Sequence, residues 1–456
     1  MAAKTYELVV TSPMGKKEGG LKIAISGTTF TGSLSFMGQD VEIENGQFNK
    51  EGNFSGYSII KSPIGKMKCE VTGTIIDDIV TGQVKTKMGN ITFVSKIEGD
   101  TGQESVPTVE SLLKKERHPE KSRNFRENKG VPMSIDAATV LTAKPDKVMD
   151  SWYISCACES NGHKLGFVWH QMFHASGFST AELLLMDGES GKSFTNLHMS
   201  ETDEQTFTSM NHLQVVSPIA TLIDTGNGWT LKAHTENGTL EATILPKDDI
   251  YVGATGALEL HRGALSYEYA YPNMVVNGKI VLDSIEYPFS DAVAWFDRQY
   301  AELISGGHSI GAENMFSAGA DGNGTSWLWA GMSLCNDSVA MMMTDINDAE
   351  KRSAFATLTH ENGTHVNTKI DVSYDEIWQS KKSGYYYPNK INVKVPYEDI
   401  TMTLEVICSN DFHHTGGGLD QAGCQSLCKV DGVYKGKDFS KLQIVEFVGN
   451  TCGDWL

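Results

Sequence analysis

The segment between Trp152 and His174 contains the strongest hairpin signal in the sequence. A run of aromatic, β-branched and small residues ends at Asn161-Gly162, and a second run of the same kind follows it. Asn-Gly is the pair that type I′ turns favour, because both turn residues take positive φ. The same pair precedes two further strand-like runs, at Asn227-Gly228 and Asn237-Gly238, whereas long helical patterns are nearly absent. The sequence therefore predicts an all-β protein.

The first part of the chain, residues 1–98, is a block of short strand-like runs in which two phrases recur. Ser12-Pro13-Met14-Gly15-Lys16 resembles Ser62-Pro63-Ile64-Gly65-Lys66. This recurrence predicts two related units that close one small β-barrel or sandwich. The block has no histidine and only Cys69 as a thiol. We expect it to have a packing, dimerising or lid-like role, which leaves a homo-oligomer open.

The remaining chain divides at two places. Residues 99–135 carry the charged tract 114–121 and predict an exposed linker. Strand-like runs return from Trp152, and a second set begins after Ser305-Gly306-Gly307. With 456 residues the chain is long enough for two or three domains. We therefore predict two consecutive barrel-like domains, at 136–305 and 306–456.

Charge and composition exclude several classes of partner. The net charge is −19 and the pI is near 5.1, so nucleic acid and anionic membrane surfaces would repel the protein. No apolar run approaches the roughly 20 residues that span a bilayer, and the first ten residues lack the features of a signal peptide. We expect a cytoplasmic location without a membrane span. The eight cysteines are sparse and predict free thiols, with no zinc-ligand spacing and no metal.

The segment 292–300 is the most informative strand for function. It is rich in β-branched and aromatic residues and lies between the turn signals Asn277-Gly278 and Gly306-Gly307. Because side chains alternate along a strand, one face would carry Trp295, Asp297 and Gln299. The other face would carry Phe296, Arg298 and Tyr300.

Asp297 is the candidate catalytic residue of this strand. If its face lines a dry cavity, desolvation raises the pKa of the carboxyl and makes it a proton donor at neutral pH. The alternative is an ionised Asp297 that holds a neighbouring loop or the adjacent Arg298.

From residue 150 onward, several motifs occur in a characteristic order: Trp152-Tyr153, Trp169-His170-Gln171-Met172-Phe173, Tyr269-Ala270-Tyr271-Pro272, Ala294-Trp295-Phe296-Asp297-Arg298-Gln299-Tyr300, Ser326-Trp327-Leu328-Trp329 and Tyr386-Tyr387-Pro388. This order resembles the double-lipocalin family of carotenoid 1,2-hydratases, of which kievitone hydratase and fungal decalin-forming Diels-Alderases look like relatives. The resemblance covers about residues 150–456 and does not extend to 1–98.

The resemblance implies two lipocalin-like calyces side by side, with a hydrophobic ligand in or between them and no cofactor. In the hydratases an aspartate of this motif protonates an isolated C=C bond, and water captures the cation. Carried over, that residue is Asp297, with Trp295 beside it. A developing cation needs a dry cavity with aromatic faces, which Trp169, Tyr269 and Tyr271 could supply. Arg298 stands where family members often place a histidine, and we group it with Gln299 as substrate-binding.

Two histidines are further candidates. His170 and His174 share a face of the predicted strand but lie about 13 Å apart by strand rise, too far to bind one ion. His170 could line the cavity as an acid or base, although a satisfied barrel histidine is the favoured interpretation. His308 could bind substrate at the domain junction, with a solvated loop position as the alternative.

Three functions fit these observations. The leading hypothesis is a cofactor-independent hydratase or dehydratase that acts on a C=C bond of a hydrophobic terpenoid or polyphenol. The second is an isomerase or cyclase that shapes a similar substrate by the form of its cavity. The third is a non-catalytic, lipocalin-like carrier of a hydrophobic ligand.

Overall fold

The computed structural model describes residues 4–12, 15–36, 39–50, 52–62, 65–76, 79–86, 89–95, 128–129, 137–174, 178–201, 206–247, 251–261, 264–303, 326–334, 337–345, 353–362, 364–416, 419–449 and 451–452. These residues form two compact units, of which the first contains the N-terminal strands and the second contains the rest. Both units are built almost entirely from antiparallel strands. No helix in the described part of the chain is long and apolar enough to cross a bilayer.

The N-terminal unit is a closed eight-stranded barrel. Its strands are β1 (Lys4–Ser12), β2 (Gly15–Ser26), β3 (Thr29–Phe36), β4 (Gln39–Phe48), β5 (Asn53–Ser62), β6 (Gly65–Ile76), β7 (Ile79–Thr86) and β8 (Gly89–Ser95). The two recurring phrases occupy equivalent joins, because Ser12 pairs with Gly15 and Ser62 with Gly65. Each related unit thus contributes four strands to the barrel.

The second unit contains two large sheets. Before them come β9 (Asn128–Lys129) and the short helix α1 (Ala137–Val140). The first sheet contains β10 (Met149–Ser160), β11 (His163–His174), β12 (Phe178–Asp187), β13 (Lys192–Glu201), β14 (Phe207–Thr208), β15 (Gln214–Ser217), β16 (Ala220–Asp224), β17 (Trp229–His234), β18 (Gly238–Pro246), β19 (Tyr251–His261), β20 (Ala264–Leu282) and β21 (Ile285–Leu303). β10 lies between β11 and β21 at the middle of this sheet.

The second sheet follows in sequence. It contains β22 (Ser326–Leu334), β23 (Asp337–Asp345), β24 (Ser353–Thr359), β25 (His365–Lys369), β26 (Asp371–Gln379), β27 (Tyr386–Val395), β28 (Ile400–Gly416), β29 (Leu419–Tyr434) and β30 (Lys437–Val448), with a 3-10 helix at Pro396–Glu398. β9, which falls in the predicted linker, pairs with β25 at the edge of this sheet. The rest of that linker lies outside the described residues.

The three largest buried clusters among the described residues of the second unit hold it together. The first sheet encloses a core that includes Trp152, Trp169 and Phe296, and the second sheet encloses its own core. A third cluster lies between the sheets and brings Trp295 of β21 against Trp329 of β22. The face on which the two sheets meet is therefore separate from both enclosed cores.

The predicted hairpin at Asn161-Gly162 is present, with φ of 53° and 81° at these two residues. The turn predicted at Asn277-Gly278 is wrong, because both residues lie inside β20 beside a register shift. A side chain at Gly278 would place its Cβ 2.2 Å from the carbonyl oxygen of Glu241, so glycine serves a close strand contact there. The strands turn instead at Asp283 and Ser284, with φ of 48° and 69°.

Candidate functional site between the two sheets

Alternation along β21 divides its side chains between two environments. Asp297 pairs with Tyr153 on β10, Tyr153 pairs with His170 on β11, and His170 pairs with Glu182 on β12. Directly opposed residues in antiparallel strands share a face, so these four side chains form one row across the sheet. Tyr153 belongs to the cluster between the sheets, and the row therefore faces the second sheet.

Asp297 is half-buried on the face between the sheets, and its carboxyl accepts one strong hydrogen bond. The indole Nε1 of Trp295 donates to Asp297 Oδ1 at 2.6 Å. Burial raises the pKa of Asp297 well above its ordinary value, and the nearby carboxyl of Glu268 raises it further. The Trp295 hydrogen bond acts in the opposite direction, but it does not cancel these two effects. These effects together favour the protonated form of Asp297.

Three glutamates that the sequence analysis missed share this region. Burial raises the pKa of Glu268 to about 7 and that of Glu182 to about 7, and the charge of Glu446 adds to both effects. Burial also raises the pKa of Glu446 itself. The available signal was a single acidic residue inside an apolar run, as in Ile444-Val445-Glu446-Phe447-Val448.

Glu446 of β30 is held in place by residues of the second sheet. Trp327 Nε1 donates to its Oε2 at 2.9 Å, and Gln425 Nε2 donates to its Oε1 at 2.6 Å. Tyr153 of the first sheet donates through its hydroxyl to Gln425 Oε1 at 3.4 Å. This chain of contacts joins the two halves of the site.

Aromatic rings form the wall beside the carboxyls. The rings of Trp295 and Trp329 meet edge to face at 5.8 Å, and Trp329 meets Tyr153 in the same way at 5.6 Å. A Cβ on Gly331 of β22 would lie 2.4 Å from the Trp295 ring, so glycine allows the indole to pack on the strand backbone. The ring faces can stabilise positive charge on a ligand.

His170 lies on the same face as Asp297. Its Nε2 is 2.9 Å from the Ser151 hydroxyl, and its ring meets Tyr153 at 5.5 Å. Burial lowers the pKa of His170 to about 4, so the imidazole is neutral at physiological pH. In this position His170 can act as a hydrogen-bonding group of the site.

The other predicted residues are distributed over both faces. Gln299 lies on the Asp297 face and pairs with Glu268. Trp169 and Tyr271 belong to the core that the first sheet encloses, and Tyr269 packs against that core while its hydroxyl contacts Tyr300 at 3.0 Å. The structure does not bring these three aromatic residues together with Asp297. His308 lies outside the described residues.

Arg298, predicted as substrate-binding, is fully buried on the face opposite Asp297. Its Nη2 contacts Asp150 Oδ1 at 2.5 Å. The guanidinium also donates hydrogen bonds to the carbonyl oxygens of Val140, Thr142, Ser151 and Gln299. The guanidinium lies 4.0 Å from the Trp152 ring centroid. These contacts join the β10–β21 pair to α1 and the segment after it.

No group of three or more metal-ligating side chains occurs among the described residues. Their seven cysteines are buried free thiols. A pocket of about 340 Å³ opens beside Trp295 between the sheets, and its lining includes Cys156, Asp291, Gly331 and Lys441.

The AttH-like family model matches residues 131–417. Two solved structures have similar folds. An AttH candidate from Nitrosomonas europaea superposes with a TM-score of 0.57 at 17% identity, covering 70% of this chain and 98% of that one. Kievitone hydratase from Nectria haematococca superposes with a TM-score of 0.55 at 13% identity, covering 72% and 99%. No curated protein sequence matches the chain.

These comparisons confirm the predicted fold class. The chain is all-β, with a small N-terminal β domain followed in sequence by two consecutive lipocalin-like β-barrels packed side by side. The family match covers more than half of the sequence and includes Trp295, Asp297 and their partners on β10, β11 and β20. The chain belongs to the AttH-like family.

Proposed function

We propose that this protein is a cofactor-independent hydro-lyase that adds water to, or removes it from, a C=C bond of a hydrophobic terpenoid or polyphenol. Asp297 is the proton donor. The observation that carries the proposal is a carboxyl with a strongly raised pKa, fixed by Trp295 at 2.6 Å and placed beside aromatic rings between the two sheets. An acid that stays protonated at neutral pH is what protonation of carbon requires.

The reaction has two steps in the hydration direction. Asp297 transfers its proton to one alkene carbon, and the π electrons form the new C–H bond. The other carbon becomes a cation, which the faces of Trp295 and Trp329 stabilise. Water then adds its oxygen to this carbon and loses a proton to a carboxylate of the site. Dehydration is the same path in reverse.

One structural neighbour supports this choice of reaction. Kievitone hydratase is a hydratase by name, and its fold is similar to that of this chain. At 13% identity the likeness shows the fold alone, so the proposal depends on Asp297 and its surroundings.

The test is incubation with kievitone and with panels of neutral terpenoids and polyphenols, followed by mass spectrometry of the products. The wild-type protein should give a product that differs from its substrate by one water. Asp297→Asn should lower turnover by about 10² to 10⁴, the usual contribution of a general acid. Glu286→Gln, an exposed position on the same strand, is the matched control and should retain activity. Full activity in Asp297→Asn would exclude this role.

An isomerase or cyclase is the second candidate, because the packed aromatic wall could fold an unsaturated substrate into a reactive shape. It predicts a product of unchanged mass with altered retention, and a larger loss from Trp329→Leu than from Asp297→Asn. A ligand recovered bound and unaltered would favour the carrier.

A further inference from the structure

Four carboxyls, those of Asp297, Glu268, Glu182 and Glu446, lie in the region between the sheets, where ionising all of them together is unfavourable. Burial disfavours each negative charge, and every charge present raises the pKa of its neighbours. One carboxylate can persist where hydrogen-bond donors replace the lost hydration. The donors around each group therefore indicate where the charge lies.

The donors are distributed unequally. Both oxygens of Glu446 accept a hydrogen bond, one from Trp327 and one from Gln425. Asp297 accepts a hydrogen bond from Trp295 on a single oxygen. Glu182 is 8% exposed, and its Oε1 has no hydrogen-bond partner. Indole and amide N–H groups can only donate, so Glu446 is surrounded as an anion requires.

Glu446 also has a central position. Its charge acts on Glu182, Glu268, Asp297 and the Tyr153 hydroxyl, and it raises the pKa of each. It extends from the second sheet toward the face of the first sheet that carries the other three carboxyls. An anion at Glu446 therefore favours the protonated forms of those three groups.

We propose that Glu446 is the carboxylate of the site that ionises first and acts as the base that accepts the proton of the attacking water. The catalytic part of this proposal rests on the proposed hydro-lyase function. Asp297 gives its proton to the alkene carbon, water oxygen bonds to the cationic carbon, and the released proton passes to Glu446. The site then holds an anionic Asp297 and a protonated Glu446, and water returns the proton to Asp297 after product leaves.

This assignment also narrows the substrate class. A buried anion attracts a cation that forms during the reaction and repels a substrate that already carries a phosphate or carboxylate. The substrate is therefore a neutral unsaturated compound rather than a prenyl diphosphate or an acid.

The first test measures protonation without any substrate. The infrared C=O band of protonated carboxylic acids is titrated from pH 5 to 9 in the wild-type protein and in Glu446→Gln. If Glu446 is the anion, its removal lowers the midpoint of the remaining acids by about one pH unit. Glu405→Gln, an exposed position on β28, should leave the midpoint in place. If Glu446→Gln loses one titrating carboxyl but the midpoint of the remaining acids does not change, Glu446 is not the anion, and the charge assignment is overturned.

The second test is kinetic. Glu446→Gln should lower kcat by about 10² to 10⁴ while KM changes little. Trp327→Phe keeps the carboxyl but removes one donor, so the acidic limb of the kcat/KM profile should move to higher pH. A shifted infrared midpoint with full turnover in Glu446→Gln would overturn the catalytic role. If the wild-type protein converts none of the neutral compounds, the proposed function fails, whereas the infrared result still decides the location of the charge.

Discussion

Arg298 and Asp297 are neighbours on β21, but their side chains lie on opposite faces and have very different numbers of hydrogen-bond partners. Arg298 faces the core enclosed by the first sheet, where one carboxylate and four carbonyl oxygens accept from its guanidinium. Asp297 faces the second sheet, where Trp295 donates to one of its oxygens and other carboxyls surround it. A fully paired charge stabilises a local arrangement, whereas a poorly paired acid keeps a proton that it can give away.

The largest expected effect on the free energy of unfolding comes from replacing Arg298, whose charge is paired with Asp150. Arg298→Met leaves Asp150 buried without its partner, and we expect unfolding to become easier by about 3–5 kcal/mol. Chemical denaturation monitored by tryptophan fluorescence measures this change. The double variant Asp150→Asn/Arg298→Met should recover part of the loss, because it removes the orphaned carboxylate. If Arg298→Met lowers the free energy of unfolding by less than about 1 kcal/mol, Arg298 is not the stabilising paired charge described above.

The next effect depends on pH and concerns Glu182. Its pKa is about 7 in the folded protein, above the ordinary 4.5, so the folded state binds a proton that the unfolded state releases between these values. This stabilising contribution is complete below pH 4.5 and is lost as pH rises through 7, by up to about 3 kcal/mol.

Glu182→Gln removes this dependence. Denaturation at pH 8 should show the variant to be more stable than the wild-type protein, and the difference should vanish near pH 4. Glu241→Gln, an exposed strand position, is the control and should show no such trend. Equal differences at both pH values would mean that Glu182 titrates normally.

A smaller effect is expected from the donor to the acid. Trp295→Phe removes the hydrogen bond that lowers the pKa of Asp297, so this pKa rises further. The alkaline limb of the kcat/KM profile should move to higher pH by about one unit, the equivalent of one ordinary hydrogen bond. A shift to lower pH would contradict the assignment of Asp297 as the acid.

The smallest effect is expected at His170. Because the pKa of its ring is about 4, the imidazole is neutral across the physiological range and should contribute no limb to the pH–rate profile there. His170→Gln can keep a hydrogen bond to Ser151 and should change turnover by less than about threefold. Loss of a titration near pH 6.5 in this variant would show that His170 ionises during the reaction.

Turn residues and side-chain alternation in the sequence predicted much of the fold and the face of β21 on which Asp297 lies. Asn161-Gly162 marked a true hairpin, and alternation placed Trp295 and Asp297 on one side of β21. Alternation could not show which side faces a core, because Trp295 and Phe296 are both large, apolar and buried. Trp169 and Tyr271 were therefore grouped with Asp297 although they lie on the other face.

The remaining features depend on tertiary structure. The charge of Glu446 acts on Asp297 only because the second sheet packs on the first, and no local spacing encodes that proximity. Asn277-Gly278 looked like a turn because glycine signals both turns and close strand contacts. The packing environment decided between these two uses.

We propose that the reaction takes place between the two sheets and not within either enclosed core. The most direct measurement is a crystal structure of Asp297→Asn with its unreacted substrate bound. We expect a ligand whose C=C bond lies within hydrogen-bond distance of residue 297 and against the rings of Trp295 and Trp329. A ligand enclosed by Trp169 and Phe296 in the core of the first sheet would contradict it.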